Sequence, residues 1–116
     1  MQDSDGTVAS PDILKPLVIR SLRRSNVRKK IADYLFDISP SGSYTSEIAY
    51  NVKTTPTNVI GAIRGMNSRY RGDESLISLN IVEQFSSGKN NDIKLYKLTE
   101  FGKEIIESIR SDKRRF

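Results

Sequence analysis

Four residues in the segment 55–66 have the chemistry that recognises nucleic-acid bases. Arg64 can donate two hydrogen bonds to one guanine, Asn58 can pair with adenine, and Thr57 can contact a thymine methyl group or a phosphate. Gly61 carries no side chain, so a ligand can approach the backbone closely there. If the segment is helical, these residues lie on the face that its apolar residues leave outward.

A helix over this segment is predicted by a polar cap and by apolar residues at helical spacing. Thr55 is a favoured N-cap, and Pro56 suits the first helical position because its missing N–H has no partner there. The predicted helix covers about 56–67. Its buried stripe consists of Val59, Ile60, Ile63 and Met66. A shorter helix, 46–52, precedes it after a cap at Thr45, so a tight turn joins the two helices.

Further helix caps, and a change from helical to strand-like residue patterns, predict the elements that hold these two helices. Ser25 caps a helix that ends near Asp37, and Thr99 caps a last helix. Between them, segments 81–86 and 93–98 are rich in β-branched and aromatic residues, which is typical of a hairpin. The predicted order is helix, helix, helix, hairpin, helix. This order describes an α+β chain that is mainly helical.

The composition divides the chain into a single domain and its flanking segments. The segments are a disordered tail (1–10), an apolar and basic N-terminal arm (11–24), a folded domain (25–112) and a basic C-terminal tail (113–116). Within the arm, Pro16 is expected to interrupt any helix. Within the domain, a brief helical turn is expected to end at Asn80, because asparagine tolerates the left-handed conformation.

The residue types absent from the chain exclude most catalytic chemistry. The 116 residues include no His and no Cys, so imidazole or thiolate metal sites, Cys nucleophiles and His acid–base catalysis are unavailable. We therefore expect neither enzymatic activity, nor a metal, nor a cofactor. The lack of cysteine fits a reducing compartment. No apolar run approaches the roughly 20 residues that span a bilayer, and the acidic start does not resemble a signal peptide, so we expect a cytoplasmic protein without membrane partners.

The charge of the chain indicates a polyanionic partner. The net charge is +5 and the pI is about 9.6. The basic residues are also concentrated, because segment 20–30 holds six cations and no acid. Such a run can bind phosphates or can serve solubility alone, and the sequence leaves both open.

Three motifs resemble those of winged helix-turn-helix domains. In that family's helix-turn-helix, an Ala is followed by an apolar residue, a polar cap, a frequent Pro and a Val, and these places are held here by Ala49, Val52, Thr55, Pro56 and Val59. Residues 76–83 resemble the entry to the first wing strand, and residues 96–103 resemble the Tyr-x-Leu-Thr-x-x-Gly passage into the final helix. The resemblance covers about 25–109 and implies a three-helix core, a two-stranded β wing and a C-terminal helix.

The chain departs from the family pattern at three places. Lys53 stands where the turn usually has Gly, so its backbone is expected to be left-handed at a cost of roughly 1 kcal/mol. Thr54 replaces an apolar turn residue. Segment 67–75 is longer than the simple pattern. With the basic entry to the first helix, this longer segment is similar to that of small archaeal winged-helix regulators.

The resemblance implies a sequence-specific regulator of transcription whose third helix enters the major groove of double-stranded DNA. Base contacts would come from Thr57, Asn58, Gly61 and Arg64. Phosphate contacts would come from Arg23, Arg24, Arg28, Lys29, Thr45, Ser46, Lys53, Thr55, Ser68, Arg69 and Arg71. Wing contacts would come from Ser87, Gly88, Lys89 and Asn90. The same residues are also compatible with an ordinary solvated helix face and an ordinary hairpin loop.

Two further questions stay open at this level. The apolar arm and last helix either pack on each other within one chain or form a homodimer that reads a palindrome. The candidate dimer residues are Leu14, Leu17, Ile19, Ile105, Ile106 and Ile109. The alternative function is that of a winged-helix module that binds another protein in a transcription or replication assembly, because one fold serves both tasks.

Overall fold

The computed structural model describes residues 11–65, 74–87 and 93–111. In these ranges lie the helices α1 (Pro11–Arg24), α2 (Asn26–Ile38), α3 (Thr45–Val52), α4 (Pro56–Arg64) and α5 (Glu100–Ser111), and the strands β1 (Ser43–Tyr44), β2 (Val82–Ser87) and β3 (Ile93–Leu98). The predicted α+β, mainly helical class is confirmed. Among the described helices, none has both the length and the apolar character needed to cross a lipid bilayer.

Helix α1 contradicts the prediction for the N-terminal arm. The expectation that Pro16 interrupts the helix was wrong, because α1 continues through it to Arg24. Pro16 is exposed and lies near the start of the helix, so it removes one hydrogen bond at a place where water can reach the backbone. Val18 and Leu22 are buried where α1 packs on α2 and α5, and this burial offsets the loss. The arm is therefore part of the core.

The starts of α2 and α3 are set in different ways. Ser25 caps α2 as predicted, since its Oγ accepts a hydrogen bond from the backbone N–H of Arg28 at 3.2 Å. The prediction that Thr45 caps the next helix was wrong by one residue. Thr45 is the first residue of α3, and the capping position belongs to Tyr44, whose side chain makes no capping bond. Tyr44 is extended because it pairs with Leu95 of β3, so the chain passes directly from strand to helix.

The turn between α3 and α4 confirms the prediction for Lys53 and for the α4 cap. Lys53 has a left-handed backbone with φ 60° and ψ 54°. Thr55 Oγ1 accepts a hydrogen bond from the N–H of Asn58 at 3.1 Å, and Pro56 takes the first helical position. The tight turn predicted between these two helices is thus formed by the expected residues.

The end of α4 is tied to a segment that lies farther along the chain. The helix ends at Arg64 rather than near residue 67, because Gly65 has φ 90° and leaves the helical conformation. The backbone N–H groups of Leu76 and Ile77 then donate to the carbonyls of Ala62 and Ile63 at 3.1 and 3.0 Å. These bonds satisfy carbonyl groups that a helix end would otherwise leave unpaired.

A helical turn and the hairpin follow. The turn over 75–80 ends at Asn80, whose φ of 61° confirms its prediction as a left-handed cap. The hairpin strands β2 and β3 pair antiparallel, with Gln84 opposite Tyr96 and Phe85 opposite Leu95. The sheet order is β1–β3–β2, so β3 is central. The sequence did not predict β1, which has only two residues.

The core shows where the apolar residues of α1 and α5 pack within the chain. Ile105, Ile106 and Ile109 of α5 are buried in the same apolar cluster as Val18 and Leu22 of α1. Their assignment as dimer residues was therefore wrong, because their own chain covers them. Leu14 and Ile19 are partly buried against this cluster, whereas Leu17 is 39% exposed.

Candidate nucleic-acid interface

The outward face of α4 is narrower than predicted. Thr57 and Arg64 are exposed, and Asn58 is half-buried. Gly61 is buried, so the expectation that its backbone lies open to a ligand was wrong. By helical spacing Gly61 lies between Thr57 and Arg64 on one face of α4. Side chains on a helix lean toward its N-terminus, so neighbouring side chains cover Gly61, which has no side chain of its own. Ile60, predicted to be buried, is half-exposed beside this face.

Arg64 links α4 to the hairpin. Its Nη2 donates a hydrogen bond to Oε1 of Gln84 on β2, and both side chains are exposed. Gln84 was not among the predicted site residues. Gln84 lies two residues after the buried Val82, and alternate residues of a strand share a face. This position indicated only that Gln84 and Val82 lie on the same face of β2. The contact makes the outward face of α4 continuous with one face of β2.

That face of the hairpin extends beyond the core. Ser86 pairs with Lys94, and strand alternation places both on the same face as Gln84 and Tyr96. Ser86 and Lys94 are exposed, whereas Tyr96 is buried. The predicted wing residue Ser87 ends β2. The other wing predictions, Gly88, Lys89 and Asn90, lie outside the described residues.

Asn58 has a structural role as well as a predicted contact. Its Nδ2 donates to Oγ1 of Thr54 at 3.0 Å, and its backbone N–H donates to Thr55. The side chain thus joins the first turn of α4 to the turn before it. Reading an adenine needs Oδ1 and one N–H of Asn58, and the bond to Thr54 uses only one of the two N–H groups on Nδ2. Thr54 itself, which replaces an apolar residue of the family pattern, supplies the acceptor.

The predicted phosphate-binding residues of the helix pair have different exposures. Ser46, Lys53 and Thr55 are exposed, and Thr45 is half-buried. Lys53 projects from the left-handed turn between the two helices. The predicted contacts at Ser68, Arg69 and Arg71 lie outside the described residues.

The basic run on α1 and α2 is organised around Glu74, an acidic residue that lies far along the chain. Nη1 of Arg24 lies 2.8 Å from Oε2 of Glu74, Nε of Arg20 lies 3.8 Å from the same atom, and Nη1 of Arg28 lies 3.6 Å from Oε1. Ser21 completes the cluster, since its Oγ donates to the backbone carbonyl of Glu74 at 2.7 Å. We call these five residues the Glu74 cluster.

The prediction that Arg28 binds phosphate was wrong. Its side chain is 4% exposed, and its Nη1 donates to the carbonyl and the hydroxyl of Ser21 at 2.9 and 3.1 Å. A cation that is buried in this way requires an internal anion, which Glu74 provides. The signal in the sequence was the spacing of Arg20, Arg24 and Arg28, four residues apart. Such spacing places the first two on one helix face.

The other cations of this run are placed differently. Arg24 keeps a side chain that is 52% exposed while it pairs with Glu74, so it lies at the rim of the cluster. Arg23 and Lys29 are exposed on α1 and α2. Their predicted phosphate contacts stay predictions.

Comparisons with known proteins identify relatives of this chain. The model of a protein family described as EarA-like matches residues 18–109, from the second half of α1 to near the end of α5. An uncharacterized protein of the archaeon Methanocaldococcus jannaschii is 45% identical over 97 residues, which cover 84% of this chain and 85% of that protein. No solved structure matches the chain.

Proposed function

The chain belongs to the EarA-like family, and we propose that it is a cytoplasmic winged helix-turn-helix protein that binds double-stranded DNA at specific sequences and regulates transcription. The proposal is supported above all by the surface that Arg64 and Gln84 join. This surface combines an exposed polar helix face with one face of a hairpin. A relative of the chain is found in an archaeon.

In the proposed complex, α4 enters the major groove. Arg64 donates to a guanine, Thr57 contacts a thymine methyl group or a phosphate, and Asn58 reads adenine with Oδ1 and the N–H that Thr54 does not accept. A helix with its side chains is about 10–12 Å across, so α4 fits the roughly 12 Å width of the major groove. Ile60, which is half-exposed beside Thr57, can add an apolar contact to a thymine methyl group.

Phosphate contacts flank α4 in this proposal. Ser46 and Lys53 belong to the preceding helix and turn, and both are exposed. Lys94 is exposed on the hairpin face that Arg64 reaches. The proposal also includes the exposed cations Arg23 and Lys29, but it no longer includes Arg28. Such contacts position the protein and make binding depend on salt, while the base contacts specify the sequence.

The test begins with duplexes enriched from a random pool and with genomic fragments. Fluorescence anisotropy measures affinity for the enriched and the scrambled duplexes at several salt concentrations. We expect log affinity to fall with log salt with a slope near −5, as about 6 phosphate contacts require. We expect Arg64→Ala to cost about 1–3 kcal/mol on enriched duplexes and little on scrambled ones.

Lys103→Ala is the matched control for the lost charge. Lys103 lies on α5 and pairs with Glu100 at 3.6 Å, and Glu100 is 91% exposed, so this ion pair contributes little to stability. We expect Lys103→Ala to bind the enriched duplexes as the wild type does. Weak binding to every duplex, or equal effects of the two substitutions, contradicts the proposed function.

A second candidate function is supported by the opposite face of the sheet. Tyr44 and Ile93 are 46% and 54% exposed, and strand alternation places both on the face of Leu95 and Phe85. Tyr50 on α3 is 84% exposed. Such apolar surface is typical of a protein interaction module. This function is favoured if duplexes bind weakly and if a photo-crosslinker at position 50 captures one defined protein, whereas the same crosslinker at position 104 does not.

A further inference from the structure

The side-chain amide of Gln84 contacts the guanidinium of Arg64. We propose that Gln84 is a positioning residue that fixes the guanidinium of Arg64 for a guanine edge and so contributes to sequence discrimination. This inference rests on the proposed function. The observation that carries it is the hydrogen bond from Nη2 of Arg64 to Oε1 of Gln84, between an exposed cation on α4 and an uncharged acceptor on β2.

Arg64 needs an external support because of its place in α4. It is the last residue of the helix, and Gly65 departs from the helical conformation with φ 90°. Helical side chains lean toward the N-terminus, so Arg64 lies over Gly61, which has no side chain to hold it. An exposed arginine side chain has many rotamers, and a bidentate contact selects few of them. A support that is present before binding reduces the entropy lost on binding.

Gln84 is itself held in place by the sheet. It lies in the interior of β2, opposite Tyr96 of β3, and Tyr96 is 1% exposed. Val82, two residues earlier on the same face, is 2% exposed. The backbone that carries Gln84 is thus anchored by buried neighbours, although its side chain reaches the surface. Support from a rigid strand holds a functional side chain more accurately than support from a loop.

The contact leaves Arg64 able to act on a base. A guanidinium has five N–H donors, and Gln84 accepts from one nitrogen, so donors for a bidentate pair remain. Gln84 is also uncharged, so it orients the cation without neutralising it. The Glu74 cluster shows the opposite arrangement, since a carboxylate there pairs with arginines and holds Arg28 inside the protein. The uncharged acceptor beside Arg64 therefore suits a cation that donates to acceptors outside the protein.

The experiment compares Gln84→Met, which keeps the length of the side chain and removes the acceptor, with the wild type. The probe is the enriched duplex together with duplexes that alter, one at a time, each base pair of the site. Arg64→Ala first identifies the base pair that Arg64 reads. We expect Gln84→Met to reduce discrimination at that base pair by roughly 3- to 10-fold. Affinity for scrambled duplexes and the slope of the salt dependence stay unchanged.

Two further measurements separate positioning from a general structural role. In the Arg64→Ala background, Gln84→Met has no further effect on discrimination, because the two residues act as one unit. In the free protein, NMR relaxation of the Arg64 Nε–H shows greater motion in Gln84→Met than in the wild type. The urea midpoint of unfolding stays the same. Ser86→Ala, one step farther along the same face of β2, is the control and leaves the Arg64 signal unchanged.

The outcomes distinguish this inference from the proposed function. If Arg64→Ala changes discrimination but Gln84→Met does not, or if Gln84→Met weakens binding to all duplexes equally, the positioning role is overturned and DNA recognition by α4 stands. If no duplex shows salt-steep binding and Arg64→Ala has no effect, the proposed function fails, and the role of Gln84 fails with it.

Discussion

At the scale of single residues, Glu74 ties a late segment of the chain to α1 and α2. Its side chain is 8% exposed and that of Arg28 is 4% exposed, so these opposite charges lie where little water reaches them. Glu74 also accepts a hydrogen bond from Ser21 through its backbone carbonyl. A cation and an anion buried together are each costly to leave alone. The Glu74 cluster therefore fixes the start of the 74–80 segment against α1 and α2.

We expect Glu74→Gln to lower the free energy of unfolding by about 3 kcal/mol, because Arg28 would remain buried without its anion. Urea denaturation followed by circular dichroism measures the change. Glu100→Gln removes the same charge from an exposed ion pair and should change stability by less than about 0.5 kcal/mol. Equal losses in the two variants contradict the internal role of Glu74.

Some residue-scale features could be predicted and others could not. The left-handed backbones of Lys53 and Asn80 were predicted, because they depend on neighbours in the sequence. The burial of Arg28 was not, because it depends on Glu74, which lies far along the chain. The same limit applies to Arg64: its exposure was predicted, but its partner Gln84 lies on another element.

At the scale of elements, the passage from β3 to α5 shows what Thr99 and Gly102 do in the fold. Thr99 Oγ1 donates to the carbonyl of Asn80 at 2.7 Å and accepts from the N–H of Gly102 at 2.8 Å. A Cβ atom at Gly102 would lie 2.3 Å from the carbonyl oxygen of Ile81. The helix can approach the strand so closely only because this position has no side chain.

We expect Gly102→Ala to destabilise the protein by about 1–3 kcal/mol, because the added Cβ meets backbone that must shift. Thermal and urea unfolding both measure this loss. Glu104→Ala, at an exposed position of the same helix, is the control and should leave stability nearly unchanged. A Gly102→Ala protein as stable as the control would show that α5 can move away from Ile81 without cost.

The elements that were predicted correctly begin at local signals. Ser25, Thr55 and Thr99 each cap a helix as expected, since a cap depends on residues within one turn. The continuity of α1 through Pro16 was missed because burial of distant apolar residues stabilises it. Strand β1 was missed because two residues carry no period and gain their structure from pairing with β3.

At the scale of the whole molecule, the apolar residues divide between the core and a few exposed positions. The α5 residues that were candidates for a dimer interface are buried in the core. Leu17 on α1 remains 39% exposed and is the candidate through which a homodimer is still proposed. A two-fold dimer would place two copies of α4 on one face of the duplex, about one helical turn apart, and would make the site a palindrome.

We expect Leu17→Lys to weaken self-association at least about 10-fold, which corresponds to 1.4 kcal/mol, because it brings a charge into an apolar interface. Sedimentation equilibrium measures the association constant. Ile93→Lys, which makes the same kind of change at a position 54% exposed on the sheet, is the control and should not affect association. A monomeric wild type, or a stronger effect of Ile93→Lys, contradicts a dimer through α1.

The bonds from Leu76 and Ile77 to the end of α4 have an evolutionary consequence. They close the 66–73 segment at its base, and Glu74 holds the same base against α1 and α2. Doubling the length of such a closed segment costs only about 0.6 kcal/mol. We therefore expect relatives to differ more in the length of this segment than in the residues that hold its two ends, which a comparison of their sequences tests.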